Sequence, residues 1–337
     1  MDIPNIPGYD TGIVDGSFLI HRVLHAGDSK DSTAYSDMMT SQGEPTGAIY
    51  GCLRVMRSIL ALPEFYMNDL IVVWDGRPRA LSPRRLAIYP DYKKREESSE
   101  PPDVVRHRSQ VEQQRPLVES MLRLFGIPSI NLPRREGDDI VACASRHGLG
   151  KIIIVSDDKD YYQLVSPNVH VYRAAIKNPV VLTPDNFEAV MGVKHPSMWR
   201  LVAAICGDAS DAITGIDKVG ITTATKIANK ISGIRLDLIQ KAIAELQVED
   251  TRSKSRYVKV GENLMTVFRN LELVDLRLES MSPEEQGAFW SEYQRPRTPN
   301  DNTILQWFNH YEFKSLLDDY SSLSQPFRKL RPFLCHS

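Results

Sequence analysis

Residues 136–160, EGDDIVACASRHGLGKIIIVSDDKD, restrict the possible folds more than any other stretch. Two acidic bursts, Glu136, Asp138 and Asp139, then Asp157, Asp158 and Asp160, flank a helix-like segment and the apolar run KIIIV. Carboxylates about 4 Å apart repel by roughly 4 kcal/mol at an effective dielectric near 20, so a fold that draws such bursts together needs cations. The run 151–155 is short, β-branched and bounded by Gly150, which predicts a buried strand with Asp158 and Asp160 just past its carboxyl end. GIVD repeats the arrangement with Asp15, and DLIVVWDG repeats it with Asp75. In open α/β sheets the carboxyl ends of parallel strands face one crevice, where acids from distant parts of a chain can meet. Asp and Gly also end strands simply as turn formers. Three strand-end acids together with EGDD are better explained by a shared site for hard metal ions.

Composition sharpens this reading. The chain has 337 residues with 42% hydrophobic content, enough for a full core in one large domain or two. Nine candidate ligands can be named: Asp15, Asp75, Glu136, Asp138, Asp139, Asp158, Asp160, Asp208 and Asp211. Setting these nine negative charges aside turns a net charge of −2 into +7 for the remainder, which suits a polyanionic partner. The four cysteines contain no C-x-x-C pair, against zinc ribbons, redox motifs or a disulfide frame, and consistent with a reducing compartment. The start, MDIPNIPGYD, has neither a basic nor an apolar signal region, and no run reaches membrane-spanning length. The expectation is a soluble protein that is not exported and has no membrane partner.

Along the chain, GSFLIHRVLHA predicts a helix with His21 and His25 at i, i+4. That spacing suits a metal pair, but the sequence offers no HExxH pattern and no third soft ligand, so packing or phosphate contact is the expectation. Residues 27–46 predict a polar loop and residues 47–62 an amphipathic core helix closed by Pro63. Residues 77–95 carry seven Arg or Lys against one acid, a local charge of +6, with Tyr89 and Tyr92 among them. Cations for phosphates and rings for bases are what single-stranded nucleic acid demands, so this stretch and the Pro-rich EESSEPPD predict a flexible basic arch, followed by a helix at 104–125. NVHVYR and NPVVLT predict strands. In GDASD, Asp208 and Asp211 share a face if the preceding helix persists. Gly215 and Gly220 bracket a turn before a helix bearing Lys226, with Lys218 inside the turn. Such hairpins offer backbone N–H groups and lysines to a phosphate backbone without reading bases. Residues 250–260 predict a basic polar linker, and the remainder predicts helices without identifiable chemistry.

VDGSFLIHRVLHA, VVWDG, YPDYKKR, EGDDIVA, SDDKDYYQLVSPNVHVY and ICGDASDAITGIDKVGITTATKI, in this order across roughly residues 11–275, resemble the 5′-nuclease (flap endonuclease) family. The stand-alone phage 5′ to 3′ exonucleases and the 5′-nuclease domain of bacterial DNA polymerase I are the nearest in kind. The resemblance implies an α/β PIN-like nuclease domain, with a mostly parallel central sheet flanked by helices, at 1–195. Within it the basic arch spans about 77–108. A helix-three-turn-helix DNA-binding region follows at 196–280, then a helical extension at 281–337. It implies that the nine acids bind two Mg2+ ions, with Mn2+ able to substitute, and that the hairpin with Gly215 and Gly220 holds a K+ ion. Lys93 takes the place of a lysine near the scissile phosphate, and Arg22 and Tyr92 match positions near the DNA; Lys94, adjacent but not at a matching position, is a candidate DNA contact of the basic stretch. The family's arginine three residues after that lysine is replaced here by Glu96, and Arg95 stands one residue from the lysine side of that position. The implied substrates are DNA flaps, nicks and 5′ ends, with RNA–DNA hybrids, acted on by a monomer beside replication proteins in the cytoplasm of a bacterium or phage-infected host.

Two other functions share parts of this pattern. A PIN-like ribonuclease has the acidic sheet but needs neither arch nor hairpin, and GDASD with its hairpin argues against it. A structure-specific DNA-binding protein with an inert pocket has no reason to keep mutually repelling carboxylates.

Overall fold

Strands with apolar residues on both faces need helices on both sides, and the computed structural model is built that way. It describes residues 7–25, 35–77, 81–94, 101–174, 179–295, 297 and 299–330. Six strands, β1 (Gly8–Asp15), β2 (Tyr66–Trp74), β3 (Ser129–Asn131), β4 (Ile152–Val155), β5 (Val169–Arg173) and β6 (Val180–Leu182), form one sheet in the order β3-β2-β1-β4-β5-β6. All neighbours are parallel except β5 and β6. A two-stranded hairpin, β7 (Gly207–Asp208) with β8 (Ile213–Thr214), stands apart. The helices are α1 (Gly16–His25), α2 (Gly47–Leu60), α3 (Pro83–Ile88), α4 (Pro102–Leu124), α5 (Gly137–Ala144), α6 (Phe187–Met191), α7 (Trp199–Cys206) and α8 (Ile221–Lys230). They continue as α9 (Leu236–Glu249), α10 (Lys254–Glu262), α11 (Leu264–Val274), α12 (Pro283–Tyr293), α13 (Asp301–His310), α14 (Lys314–Asp318) and α15 (Tyr320–Arg328).

Alternation along the strands divides the core into two layers. Ile152 and Ile154 of β4, with Ile71 and Val73 of β2, pack with α5, α7 and α11. Ile153 and Val155, with Leu70, Val72 and Trp74, pack with α1, α2 and α4. Polar contacts set the depth of β4: Thr11 Oγ1 donates to the Leu149 carbonyl (3.0 Å), and Lys151 N donates to Asp10 (2.8 Å). The chain passes from β1 to β2 and β3 on one side, then crosses to β4 on the other. The strand order therefore reverses at β1, where an α/β sheet opens a crevice.

The C-terminal helices complete this core. Ile304, Phe308, Leu316, Leu323 and Phe327 pack with Val118, Met121, Leu122 and Phe125 of the α4 region. Three expectations need correcting. The helix ending in Cys206 does not run through GDASD, because Gly207 takes φ 72° and starts β7, so Asp208 and Asp211 lie on a hairpin turn. Residues 250–260 are not a linker: α10 occupies 254–262 and buries Tyr257 and Val260, three residues apart on one face. The basic arch contains α3, started by Ser82, whose hydroxyl accepts from Arg85 N. Among the described residues, no helix is long and apolar enough to cross a membrane.

Candidate active site

Asp15 ends β1, Asp75 follows β2, and Asp158 lies just past β4, so three adjacent parallel strands deliver one carboxylate each to the same edge. Asp138 arrives from the first turn of α5, Asp160 from the turn after β4, and Asp208 and Asp211 from the β7–β8 hairpin. These seven carboxylates line one cavity of about 500 Å3, together with Asp157, Lys93 and His21. Short donors fix the acids. Asp15 accepts from Phe18 N (3.1 Å) and Ser156 Oγ (3.0 Å), and Asp75 from Ser17 Oγ (2.9 Å) and Gly137 N (2.7 Å). Asp158 accepts from Asp160 N (2.8 Å), and Asp208 from Ser210 N (2.7 Å).

The acids disfavour one another's charge. Burial, then Asp158 and Asp75, pushes the Asp15 carboxyl up to about 7. Burial and acidic neighbours also hold Asp138 and Asp160 well above the usual carboxylate range, and raise Asp158 and Asp211. An all-oxygen donor set, gathered on one accessible cavity and mutually repelling, fits hard divalent cations. Asp15, Asp75, Asp138, Asp158, Asp160, Asp208 and Asp211 are the residues positioned to hold them.

Glu136 and Asp139 do not line the cavity: each is only 1% exposed. Arg85, also 1% exposed, holds both, at 3.0 Å from Glu136 and 2.7 Å from Asp139. Successive helix residues point about 100° apart, so Asp138 and Asp139 cannot both face the cavity. Glu136 is fully engaged, accepting also from Ser82 N (2.9 Å), Tyr92 OH (2.8 Å) and Lys93 Nζ. Burial opposes its charge, but Lys93 and Arg85 win and lower its pKa. Lys93 is cationic: burial opposes this, and Asp138, Asp211 and Glu136 outweigh it. Its backbone sits at φ 51°, tied to the hairpin by Lys93 N donating to the Asp211 carbonyl (2.9 Å), with Nζ 3.6 Å from the Asp211 carboxylate.

The basic stretch corrects another expectation. Tyr92 is a buried residue, 2% exposed, with its hydroxyl on Glu136 and Asp211 (3.1 Å), so its ring offers no face to a base. Tyr89 is half-buried beneath Arg269, Arg84 pairs with Glu279 at 2.7 Å, and Arg77 pairs with Glu119 at 3.5 Å. Lys94 is exposed beside Asp91 (2.9 Å), and Arg95 lies outside the described residues. Arg22 pairs with Asp157 (3.3 Å), whose side chain also borders the cavity, and donates to the Ala174 carbonyl (2.7 Å). The sequence reading missed Arg85 as the counter-ion of EGDD and missed Ser17 and Ser156 as carboxylate donors. Only the helical 100° step from Asp138 to Asp139 signalled the first.

The hairpin region forms a second surface. A Cβ on Gly215 would lie 1.9 Å from the Cys206 carbonyl oxygen, so this close return requires glycine. Asn270 pins it by donating to the Ala204 and Thr214 carbonyls at 2.9 Å each. Gly220 caps α8 with open space around it, and Lys218 projects from the turn at φ 59°. Lys226 is exposed on α8 and pairs with Asp250 at 2.6 Å.

Comparison with known proteins agrees with this architecture. The family described as 5′-3′ exonuclease, N-terminal resolvase-like domain, matches residues 10–192. A 5′-3′ exonuclease of Aquifex aeolicus (strain VF5) is 30% identical over 317 residues, covering 92% of this chain and 95% of that protein. The structure resembles T5 5′-exonuclease with divalent metal ions (zinc) bound, with a TM-score of 0.58 at 18% identity over 80% of this chain and 90% of that one. It also resembles flap endonuclease-1 from Methanococcus jannaschii, with a TM-score of 0.56 at 13% identity over 95% and 93% of the two chains.

Proposed function

The chain belongs to the 5′-3′ exonuclease family, and from that premise we propose that it is a Mg2+-dependent 5′-nuclease acting at flaps, nicks and 5′ ends of DNA, including RNA-primed ends. The observation that carries this reading is the convergence of seven carboxylates from separate segments on one cavity at the point where strand order reverses. Asp15, Asp75, Asp138, Asp158, Asp160, Asp208 and Asp211 would hold two divalent ions, which would supply Lewis acidity toward the phosphodiester and lower the pKa of the attacking water. No serine or cysteine nucleophile is needed.

The protein's own groups do the rest. Lys93 sits on the cavity wall with its charge secured by Glu136 and Asp211, so it meets a reacting phosphate without reorganisation. Tyr92 and Arg85 hold Glu136 in place from behind, which makes them positioning residues. The α8 N-terminus with Gly220, Lys218 and Lys226 takes the phosphate backbone of the duplex, at the site where the family's K+ belongs. This surface reads backbone rather than bases, as a structure-specific enzyme requires. The seven cavity carboxylates weigh against an inert DNA-binding role, and the hairpin weighs against a ribonuclease lacking one.

The test is a set of 5′-labelled substrates, a flap, a nicked duplex and an RNA-primed duplex, incubated with the protein and Mg2+, or with chelator. Cleavage near the 5′ end or flap junction that chelation abolishes and Mg2+ or Mn2+ restores is the expected result. Full activity in excess chelator, or cleavage of single-stranded RNA alone, overturns the reading.

A further inference from the structure

His21 and His25 lie four residues apart on the same face of α1, and α4 brings His107 against them. His21 Nδ1 is 2.7 Å from His107 Nε2, and the His25 and His107 rings stack with centroids 3.8 Å apart. One ring nitrogen from each of the three falls within 4.8 Å of the other two. We propose that His21, His25 and His107 form a binding site for a borderline transition-metal ion of the zinc class, beside the carboxylate cavity and using none of its acids.

The donor set favours this class of ion. Three neutral imidazoles with no carboxylate suit Zn2+ and its neighbours, whereas Mg2+ and Ca2+ require oxygen ligands. Three histidines with an open fourth position form a recognised zinc geometry, in which nitrogens 2.0–2.1 Å from the ion stand about 3.3 Å apart. The nitrogens, 2.7 Å apart at their closest and all within 4.8 Å, span that separation, and turning the stacked rings so that their nitrogens converge closes the site. His21 and His25 are exposed and His107 is partly so, which leaves an entry path. A phosphate site is the poorer account of the same three rings. Binding an anion needs protonated imidazoles, yet the 2.7 Å nitrogen contact requires one ring nitrogen to accept, and two cations stacked at 3.8 Å repel. The sequence showed only the i, i+4 pair, because the third ligand comes from 82 residues beyond His25. A bound ion would staple the amino-terminal half of α4 to α1 at the rim of the cavity, which His21 also lines.

The full-length protein, freed of metal and then supplied with excess Mg2+ to fill the oxygen sites, is titrated with Co2+ and the Co2+ is displaced by Zn2+. The expected result is one ion with the intense visible absorption of four-coordinate Co2+ and imidazole ligation. Losing an outer partner of a metal ligand typically costs 10–100-fold in affinity, so losing a ligand in His25→Ala or His107→Ala should cost at least about that much. Asp208→Asn should leave this affinity unchanged. In parallel, Zn2+ should raise the melting temperature of the wild type and not that of His25→Ala, whose exposed side chain makes a folding defect a poor explanation. Equal affinity in the wild type and His25→Ala overturns the proposal. So does binding that survives both histidine substitutions and disappears in Asp208→Asn, which would assign the ion to the carboxylate cavity.

Discussion

Replacing Arg85 with methionine should destabilise the protein severely, by leaving the buried carboxyl of Asp139 without its ion-pair partner. The guanidinium is buried, with Nη2 2.7 Å from Asp139 Oδ1, Nη1 3.2 Å from Asp139 Oδ2 and 3.0 Å from Glu136 Oε1, and Nε donating to the Leu273 carbonyl (2.9 Å). Glu136 keeps Lys93, Tyr92 and Ser82 N when Arg85 is lost. Asp139 keeps no other ion-pair partner among the described residues and is 1% exposed. Breaking a buried pair by removing one partner costs about 3–5 kcal/mol. With an unfolding entropy of about 2.1 cal/mol/K per residue, a 337-residue chain shifts its melting temperature by about 1.4 °C per kcal/mol, so Arg85→Met should lower it by roughly 4–7 °C. The orphaned carboxylate is the assigned cause, so Arg85→Met combined with Asp139→Asn should recover roughly half of the loss or more. The assay is thermal unfolding of wild type, both single variants and the double variant in the same metal-free buffer. A double variant as unstable as Arg85→Met would refute the reasoning, as would a single variant within about 1 kcal/mol of wild type.

Three further outcomes test the site. Lys93→Ala should slow single-turnover flap cleavage by about 10² or more with DNA affinity little changed, while Lys94→Ala, an exposed residue beside Asp91, should change it less than about fivefold; equal small effects would reduce the stretch to a docking surface. Asp208→Asn should cut turnover by orders of magnitude yet fold normally, because asparagine retains the oxygen that accepts from Ser210 N; an active variant, or one with a lower melting temperature, would return Asp208 to a purely structural role. Since Asp15 binds its proton more tightly in the native state, with its pKa pushed up to about 7, the chelated protein should lose stability as pH rises from about 4 to 7. Mg2+ should restore more stability above that window than below it, and a chelated protein whose melting temperature rises steadily across the window would contradict this.

What the sequence revealed and what it hid divide along the range of the interactions. Asp15, Asp75 and Asp158 were legible because a β-branched run and its terminal acid are one local unit, and parallel pairing fixes where such ends meet. The seven cations of residues 77–95 were misleading because a local count of +6 omits acids far along the chain. Glu119, Glu136, Asp139 and Glu279 pair with Arg77, Arg84, Arg85 and Lys93 from 42 to 195 residues away along the chain. The same limit hid His107 from His21 and His25, and hid what the C-terminal helices cover, since amphipathicity shows that a face is buried without showing against what. EGDD is the instructive middle case. Its four residues looked like one ligand cluster, yet the turn into α5 sends Asp138 to the cavity and Asp139 to Arg85. The motif thus builds two layers at once: an outer carboxylate repelled by its neighbours and suited to metal, and an inner pair neutralised by Arg85 and Lys93. The inner layer matters to the outer one, because Glu136 anchors Lys93, and Lys93 is the one cation from the basic stretch that lines the cavity among the described residues. A substitution at Arg85 should therefore be read first as a loss of stability and only then, through Glu136 and Lys93, as a loss of catalysis.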